Sequence, residues 1–186
     1  MTVSGFCLFD TALGSCGVSW GSGGLTSVVL PESSTEATAA RLSRRFPGLE
    51  AHSPPDDVQA AIEAMASLLS GRPADLDGVR LDLVGIPEFN RRVYEITRRV
   101  ERGKTTTYGA IAIELGDVRR AQAVGLALGR NPIPIVIPCH RVLAAGGRLG
   151  GFSGGTGATT KRAMLLAEGA LPDEPLELFD SGSGQG

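Results

Sequence analysis

Between residues 131 and 142 the chain reads Asn131-Pro-Ile-Pro-Ile-Val-Ile-Pro-Cys-His-Arg-Val142. Prolines at 132, 134 and 138 each fix a backbone φ and stiffen the segment. Between them, Ile133 to Ile137 is apolar apart from Pro134, so the stretch reads as a buried strand that hands the chain straight to Cys139 and His140. The thiolate, not the thiol, is the nucleophilic form of cysteine, so a working cysteine needs a base close by. His140 is one of only two histidines in the chain. The plain alternative is a buried cysteine at a strand end with an unrelated neighbour.

A chain of 186 residues holds one domain of usual size or two small ones, and 42% hydrophobic residues are enough to bury a core. There is no apolar run of about 18 residues and no basic stretch before an apolar one, so we expect a protein that is neither secreted nor membrane-bound. Three cysteines are an odd number and imply no closed disulfide framework. A reactive thiol fits the reducing cytoplasm.

The net charge of −2 hides an uneven distribution. Residues 86–168 carry +7, residues 1–85 carry −5 and residues 169–186 carry −4. A basic segment inside an acidic protein points to a phosphate-binding face. The alternative is a solvated surface whose charges pair with the acidic part.

Glycine-broken strand-like pieces at 5–9, 17–20 and 25–30 suggest a small meander. Residues 35–46 and 56–70 read as helices; in the second, Val58, Ile62, Met65, Leu68 and Leu69 fall at helical spacing and Gly71 is a stop. The Pro-, Gly- and Asp-rich stretch 71–87 is a crossing, with Leu81 to Val84 as a last strand. Residues 88–102 predict a helix with Phe89, Val93, Ile96 and Val100 on one stripe. Thr107 caps a helix to about Leu115, and Asp117 caps another from Val118 to about Gly129, which together make a helix-turn-helix candidate. Residues 146–158 form a glycine-rich loop and 159–168 a last helix. We divide the chain into 1–85, 86–170 and an acidic, mobile tail at 171–186.

Three separate blocks then combine: Gly125-Leu-Ala-Leu-Gly-Arg-Asn131 running into Pro138-Cys-His-Arg-Val142, Gly150-Gly-Phe-Ser-Gly-Gly155, and Leu165-Leu-Ala-Glu168-Gly169. In order and spacing this region, about 86–170, resembles the O6-alkylguanine-DNA alkyltransferases, also called methylated-DNA–protein-cysteine methyltransferases. The resemblance implies an α/β protein with a small N-terminal ribonuclease-H-like sheet-plus-helix domain and a mostly helical, winged-helix-like DNA-binding domain. It implies repair by direct, single-use transfer of an alkyl group from guanine O6 to Cys139, with His140 as base through a water and Glu168 orienting it. Tyr108 would donate to the departing base. Asn131 would brace the cysteine turn, Leu128 and Phe152 would line the base pocket, the Val142 carbonyl would read the guanine amino group, and the Ser153 N–H would point at O6. DNA contact falls to Thr107, Arg119, Arg120, Ala121, Gln122 and Ala123. The partner implied is double-stranded DNA carrying O6-alkylguanine, met by a monomer without cofactor or metal.

Other readings remain in view. Gly151-Phe-Ser-Gly-Gly155 fits the nucleophile elbow of serine hydrolases, but no histidine follows Ser153 as that chain order requires. Cys7, Cys16 and His52 could be three zinc ligands, though their spacing is irregular and core or loop positions account for them. A non-catalytic binder of alkylated DNA, like the alkyltransferase-like proteins, is the second function class, and a thiol hydrolase using Cys139 and His140 is the third. The sequence departs from the family pattern at Gln122, where an arginine usually fills the hole left by the flipped base. Unstacking costs about a few kcal/mol, and a neutral glutamine offsets less of it than a guanidinium drawn to phosphates. Gln122→Arg should therefore raise the repair rate on duplex DNA several-fold and hardly change the rate with free O6-benzylguanine. Equal effects on both substrates would remove Gln122 from the duplex.

Overall fold

The computed structural model describes residues 3–171, so the mobile tail expected at 171–186 lies, apart from Leu171, outside the described residues. Strands β1 (Gly5–Thr11), β2 (Gly14–Gly21) and β3 (Gly24–Val29) form an antiparallel meander in that order. β1 and β2 pair without a break from Gly5↔Trp20 to Thr11↔Gly14, whereas β2 and β3 shift register at Ser19/Trp20. Helix α1 (Thr35–Arg45) starts at Ser34, whose hydroxyl accepts from the Ala37 N–H, and lays Leu42 on the sheet. Helix α2 (Asp56–Leu69) buries Val58, Ile62, Met65, Leu68 and Leu69, the stripe its spacing dictates.

Both edges of the sheet are covered by single bridges instead of further strands. Phe6 of β1 pairs with Ala51, and the His52 N–H donates to the Phe6 carbonyl at 3.0 Å. On the other side Leu25 pairs with Leu81 through bonds of 2.9 Å from Leu25 to Arg80 and 2.8 Å from Asp82 to Leu25. The strand expected over Leu81 to Val84 is thus reduced to one bridge. Asp82 ends it: its carboxylate accepts the Val84 N–H at 3.0 Å and turns the chain away.

The second half is mostly helical. Helix α3 (Glu88–Arg98) stops short of residue 102, because the N–H groups of Arg99 and Val100 bond only three residues back, to Ile96 and Thr97. Strand β4 (Thr106–Thr107) lies parallel to β5 (Val142–Leu143). Thr107 caps α4 (Tyr108–Glu114) by accepting the Ala110 N–H at 3.1 Å. Asp117 caps a short 3-10 turn, Val118–Arg120, and α5 (Ala121–Gly129) begins after it, so the expected single helix from Val118 starts as a tighter turn. Helix α6 (Ala158–Ala167) closes the fold. None of these helices is long and apolar enough to cross a membrane.

Residues 133–137 do not form the buried strand expected of them. Prolines at 132, 134 and 138 remove the donors a ladder would need. What remains is a turn, closed by Ile137 N–H to the Ile133 carbonyl at 2.9 Å, with Pro134 and Ile137 bridged. One hydrophobic cluster runs from Phe9 and Trp20 in the sheet, through Met65 on α2, to Val93, Ile133 and Met164 in the second half. The backbone joins the halves too: Val28 N–H on β3 donates to the Pro132 carbonyl at 2.9 Å. We propose residue 85 as the boundary between sheet half and helical half, within this shared core.

Gly24 makes the approach of residues 80–82 feasible. Its φ is +118°, and a Cβ there would lie 2.3 Å from the Arg80 carbonyl oxygen. Gly24→Ala should cost about 1–3 kcal/mol of strain, read as a lower urea midpoint; an unchanged midpoint would show that the 80–82 crossing moves freely.

Candidate active site

The turn before Cys139 is held from its own start. Asn131 Nδ2 donates to the Ile137 carbonyl at 2.8 Å, and Asn131 Oδ1 accepts the Ile133 N–H at 2.9 Å. Ile135 between them has φ 76°, a left-handed conformation that a β-branched residue adopts only under constraint. Strain of this kind costs on the order of 1–3 kcal/mol, and burial of Ile135 together with the Asn131 bracket holds it. The Cys139 N–H donates to the Ile137 carbonyl at 2.7 Å, and Cys139–Arg141 forms a 3-10 turn.

That turn aims two consecutive side chains at one carboxylate. His140 Nε2 lies 3.0 Å from Glu168 Oε1. Arg141 grips the same carboxylate with two nitrogens, Nε to Oε2 at 2.8 Å and Nη2 to Oε1 at 2.9 Å, and its Nη1 donates to the Val100 carbonyl at 2.5 Å. All three side chains are buried. Burial alone would raise the Glu168 carboxyl, but hydrogen bonds from His140 and Arg141 bring it down to about 2. The guanidinium therefore neutralises the carboxylate. Burial, against the pull of Glu168, pushes His140 below its ordinary value, so the imidazole stays neutral. A neutral ring that donates from Nε2 carries its lone pair on Nδ1. Nδ1 is buried and has no hydrogen-bond partner among the described residues.

Burial also raises the Cys139 thiol, while a hydrogen bond from Asn131 and the charge of Lys161 work against that rise. Lys161 on α6 is 0% exposed. Its Nζ donates to the Val142 carbonyl at 2.6 Å and stands 5.8 Å from the Tyr108 ring centroid and 6.0 Å from that of Phe152. Burial lowers its pKa to about 8. A buried cation beside a buried thiol favours the thiolate.

Cys139 is 7% exposed, and that exposure opens into a pocket of about 510 Å³. Tyr108, Leu128, Phe152 and Ser153 line it, and Ala121 and Gln122 of α5 also border it. Burial raises the Tyr108 phenol, which keeps its proton and donates to the Gly151 carbonyl at 3.4 Å. Ser153 Oγ donates to the Gly129 carbonyl at 2.8 Å and ties the glycine-rich loop to the end of α5. Asn131 and Val142 stand behind the cysteine and not on the pocket wall; the Val142 carbonyl already accepts from Lys161.

The expected DNA contacts differ in their freedom. Gln122 is exposed, and Ala123 half-buried. Arg119 is held by Asp117 at 3.0 and 3.2 Å, Arg120 lies 5.5 Å over the Phe89 ring, and Thr107 spends its hydroxyl on the α4 cap. A larger cavity, about 760 Å³, lies behind the cysteine turn between residues 74–77 and 98–102, and does not reach Cys139. Cys7 and His52 border a separate cavity, while Cys16 is fully buried with its thiol pushed up to about 12. Among the described residues no group of three or more His, Cys, Asp or Glu could hold a metal ion.

Sequence reasoning assigned no part to Arg141 or Lys161. Arg141 stood in the motif itself, but only the fold shows that it shares a carboxylate with His140. Lys161 read as one more positive charge of the basic segment.

A family model described as "6-O-methylguanine DNA methyltransferase, DNA binding domain" matches residues 88–170. A methylated-DNA–protein-cysteine methyltransferase of Mycolicibacterium paratuberculosis is 42% identical over 120 residues, covering 64% of this chain and 70% of that protein. One from Methanothermobacter thermautotrophicus is 35% identical over 153 residues, covering 82% and 78%. The crystal structure of Mycobacterium tuberculosis OGT in complex with DNA matches with a TM-score of 0.70 and 32% identity, covering 89% of this chain and 92% of that one.

The Glu168 carboxylate makes stability depend on pH. Its folded value of about 2 lies below the ordinary 4.5, so its contribution is full above pH 4.5 and is lost as pH falls toward 2. At 1.36 kcal/mol per unit this is on the order of 3 kcal/mol. Urea melts across that window should show the loss in the native chain and not in Glu168→Gln. Parallel curves for the two would mean that Glu168 is not held as a buried anion.

Proposed function

The chain belongs to the methylated-DNA–protein-cysteine methyltransferases, and from its geometry we propose that Cys139 accepts the alkyl group leaving O6 of a guanine in double-stranded DNA. It is a DNA-repair protein that works by direct reversal and, as an enzyme, a transferase. The observation that carries the residue assignment is Cys139 on the wall of a pocket of base-accommodating size, with His140 and Arg141 following it in the turn and buried together with Glu168.

The reaction runs on the chain's own groups. Nδ1 of neutral His140 takes the thiol proton through a water, and Glu168 and Arg141 keep the ring in the tautomer that allows it. The thiolate attacks the alkyl carbon in line, an S–C bond forms, and the C–O6 bond breaks with its electrons passing to the guanine. Tyr108 donates its phenol proton to the departing base and recovers one from the His140 imidazolium. The products are guanine and a Cys139 thioether. Protons and electrons balance without a cofactor. The thioether is not turned back into a thiol, so each chain acts once.

The target base enters by leaving the stack. We assign its recognition to Leu128 and Phe152 as walls, the Ser153 N–H toward O6, and the carbonyls of Cys139 and Val142 toward the amino group; a carbonyl oxygen has two lone pairs, so Lys161 does not exhaust Val142. Asn131 braces the turn that carries the thiol. Helices α4 and α5, with Thr107, Arg119, Arg120, Ala121, Gln122 and Ala123, meet the duplex. The +7 charge of residues 86–168 supplies the phosphate attraction. We read the working form as a monomer in the reducing cytoplasm.

A binder without chemistry would have no use for the buried relay behind the thiol. Intact-protein mass after incubation with O6-methylguanine duplex DNA should rise by one methylene, once per chain, and peptide mapping should place it on Cys139. Cys139→Ser should show no gain while keeping its melting temperature and duplex affinity. Alkyl found on Cys7 or Cys16 would overturn the assignment.

A further inference from the structure

The loop after α3, residues 99–103, touches the His140–Glu168–Arg141 relay at several points. The Val100 carbonyl accepts from Arg141 Nη1 at 2.5 Å. Arg102 Nη2 donates to the Ala167 carbonyl at 3.1 Å, one residue before Glu168, and to the Gly71 carbonyl at 2.6 Å, just past the end of α2. Gly103, with φ 74°, sits so close that a Cβ on it would lie 3.3 Å from the Glu168 carbonyl oxygen.

Charge gives these contacts a purpose. Glu168 is the residue that ends α6, so a buried anion stands at the negative end of a helix dipole. Such a carboxylate would tend to turn away from the interior. Arg102 places a cation on the last carbonyl of that helix and removes part of the repulsion. We propose that Arg102 is a positioning residue for alkyl transfer: it fixes the end of α6, hence Glu168 and the His140 ring, and pins both to α2. The sheet half of the chain then takes part in setting the relay geometry. This inference rests on the reading of Cys139 and His140 as acceptor and base.

The test uses the full chain and free O6-benzylguanine, so that DNA binding does not enter. Alkylation rates over a range of probe concentrations give a half-saturation concentration and a limiting rate. Low-field proton NMR reads the His140 Nε2–H directly, and since the chain has only two histidines, His52→Gln makes its assignment unique. In Arg102→Ala the limiting rate should fall by about tenfold or more, as small misplacements of catalytic groups do, with half-saturation unchanged. The His140 proton should shift or broaden. Arg102→Lys should recover part of the rate, because an ammonium still donates to a carbonyl but lacks the planar fork. A lower melting temperature with unchanged limiting rate and unchanged His140 proton would overturn the proposal and leave Arg102 a structural staple. Should Arg102→Ala fail to fold, Arg102→Lys carries the same comparison. Failure of the native chain to be alkylated at Cys139 would instead overturn the functional reading, and the proton signal would still decide for Arg102.

Discussion

Glu168 is the group around which the site is arranged. A carboxylate with 5% exposure is costly to bury unless its charge and lone pairs are met. Here Arg141 meets the charge with a two-pronged grip, and His140 needs only to donate a hydrogen bond. That division decides the chemistry. Had His140 been the sole partner of a buried anion, ion pairing would have held it protonated and unable to accept. With the guanidinium in place, the imidazole is free to act as a base.

The same logic extends to the thiol. Cys139 sits where burial alone would keep it protonated, and the Asn131 hydrogen bond and the Lys161 cation lead the features that work against that. Lys161 is itself buried, with its Nζ near the Tyr108 and Phe152 rings, so its field is screened less than that of a surface charge. The turn that presents the thiol is short on ladder bonds and carries a left-handed isoleucine. Its rigidity comes from the Asn131 bracket and from prolines, and stiff presentation is what an in-line displacement needs.

Much of this could be read from the chain alone, and the exceptions have physical causes. The meander, α2 and the Thr107 cap were visible because apolar spacing and capping chemistry are local. The stretch 133–137 looked like a strand because its composition is that of one; the missing proline donors decide otherwise. Leu81 to Val84 has strand composition too, but a single side-chain bond from Asp82 turns it. Cys139, His140 and Glu168 came from the order of motif blocks. Arg141 and Lys161 did not, since a buried charge is recognised by its partners, and those lie 27 and 19 residues away in the chain. Arg102 was invisible for the same reason: its acceptors, Gly71 and Ala167, are backbone carbonyls that no motif records.

The core shared by Phe9, Met65, Ile133 and Met164 has a consequence for how the chain is made. Ribosomes release the sheet and α2 long before α6 exists. Until residues 93, 133 and 164 have emerged in turn, the cluster that α2 joins is incomplete on the side away from the sheet. Contacts between such distant positions form slowly, because chain closure must be accomplished before they reward it. The nascent sheet half is therefore the period of greatest exposure to wrong partners, and the covered edges of β1 and β3 limit strand-to-strand association once residues 51 and 80–82 have closed over them.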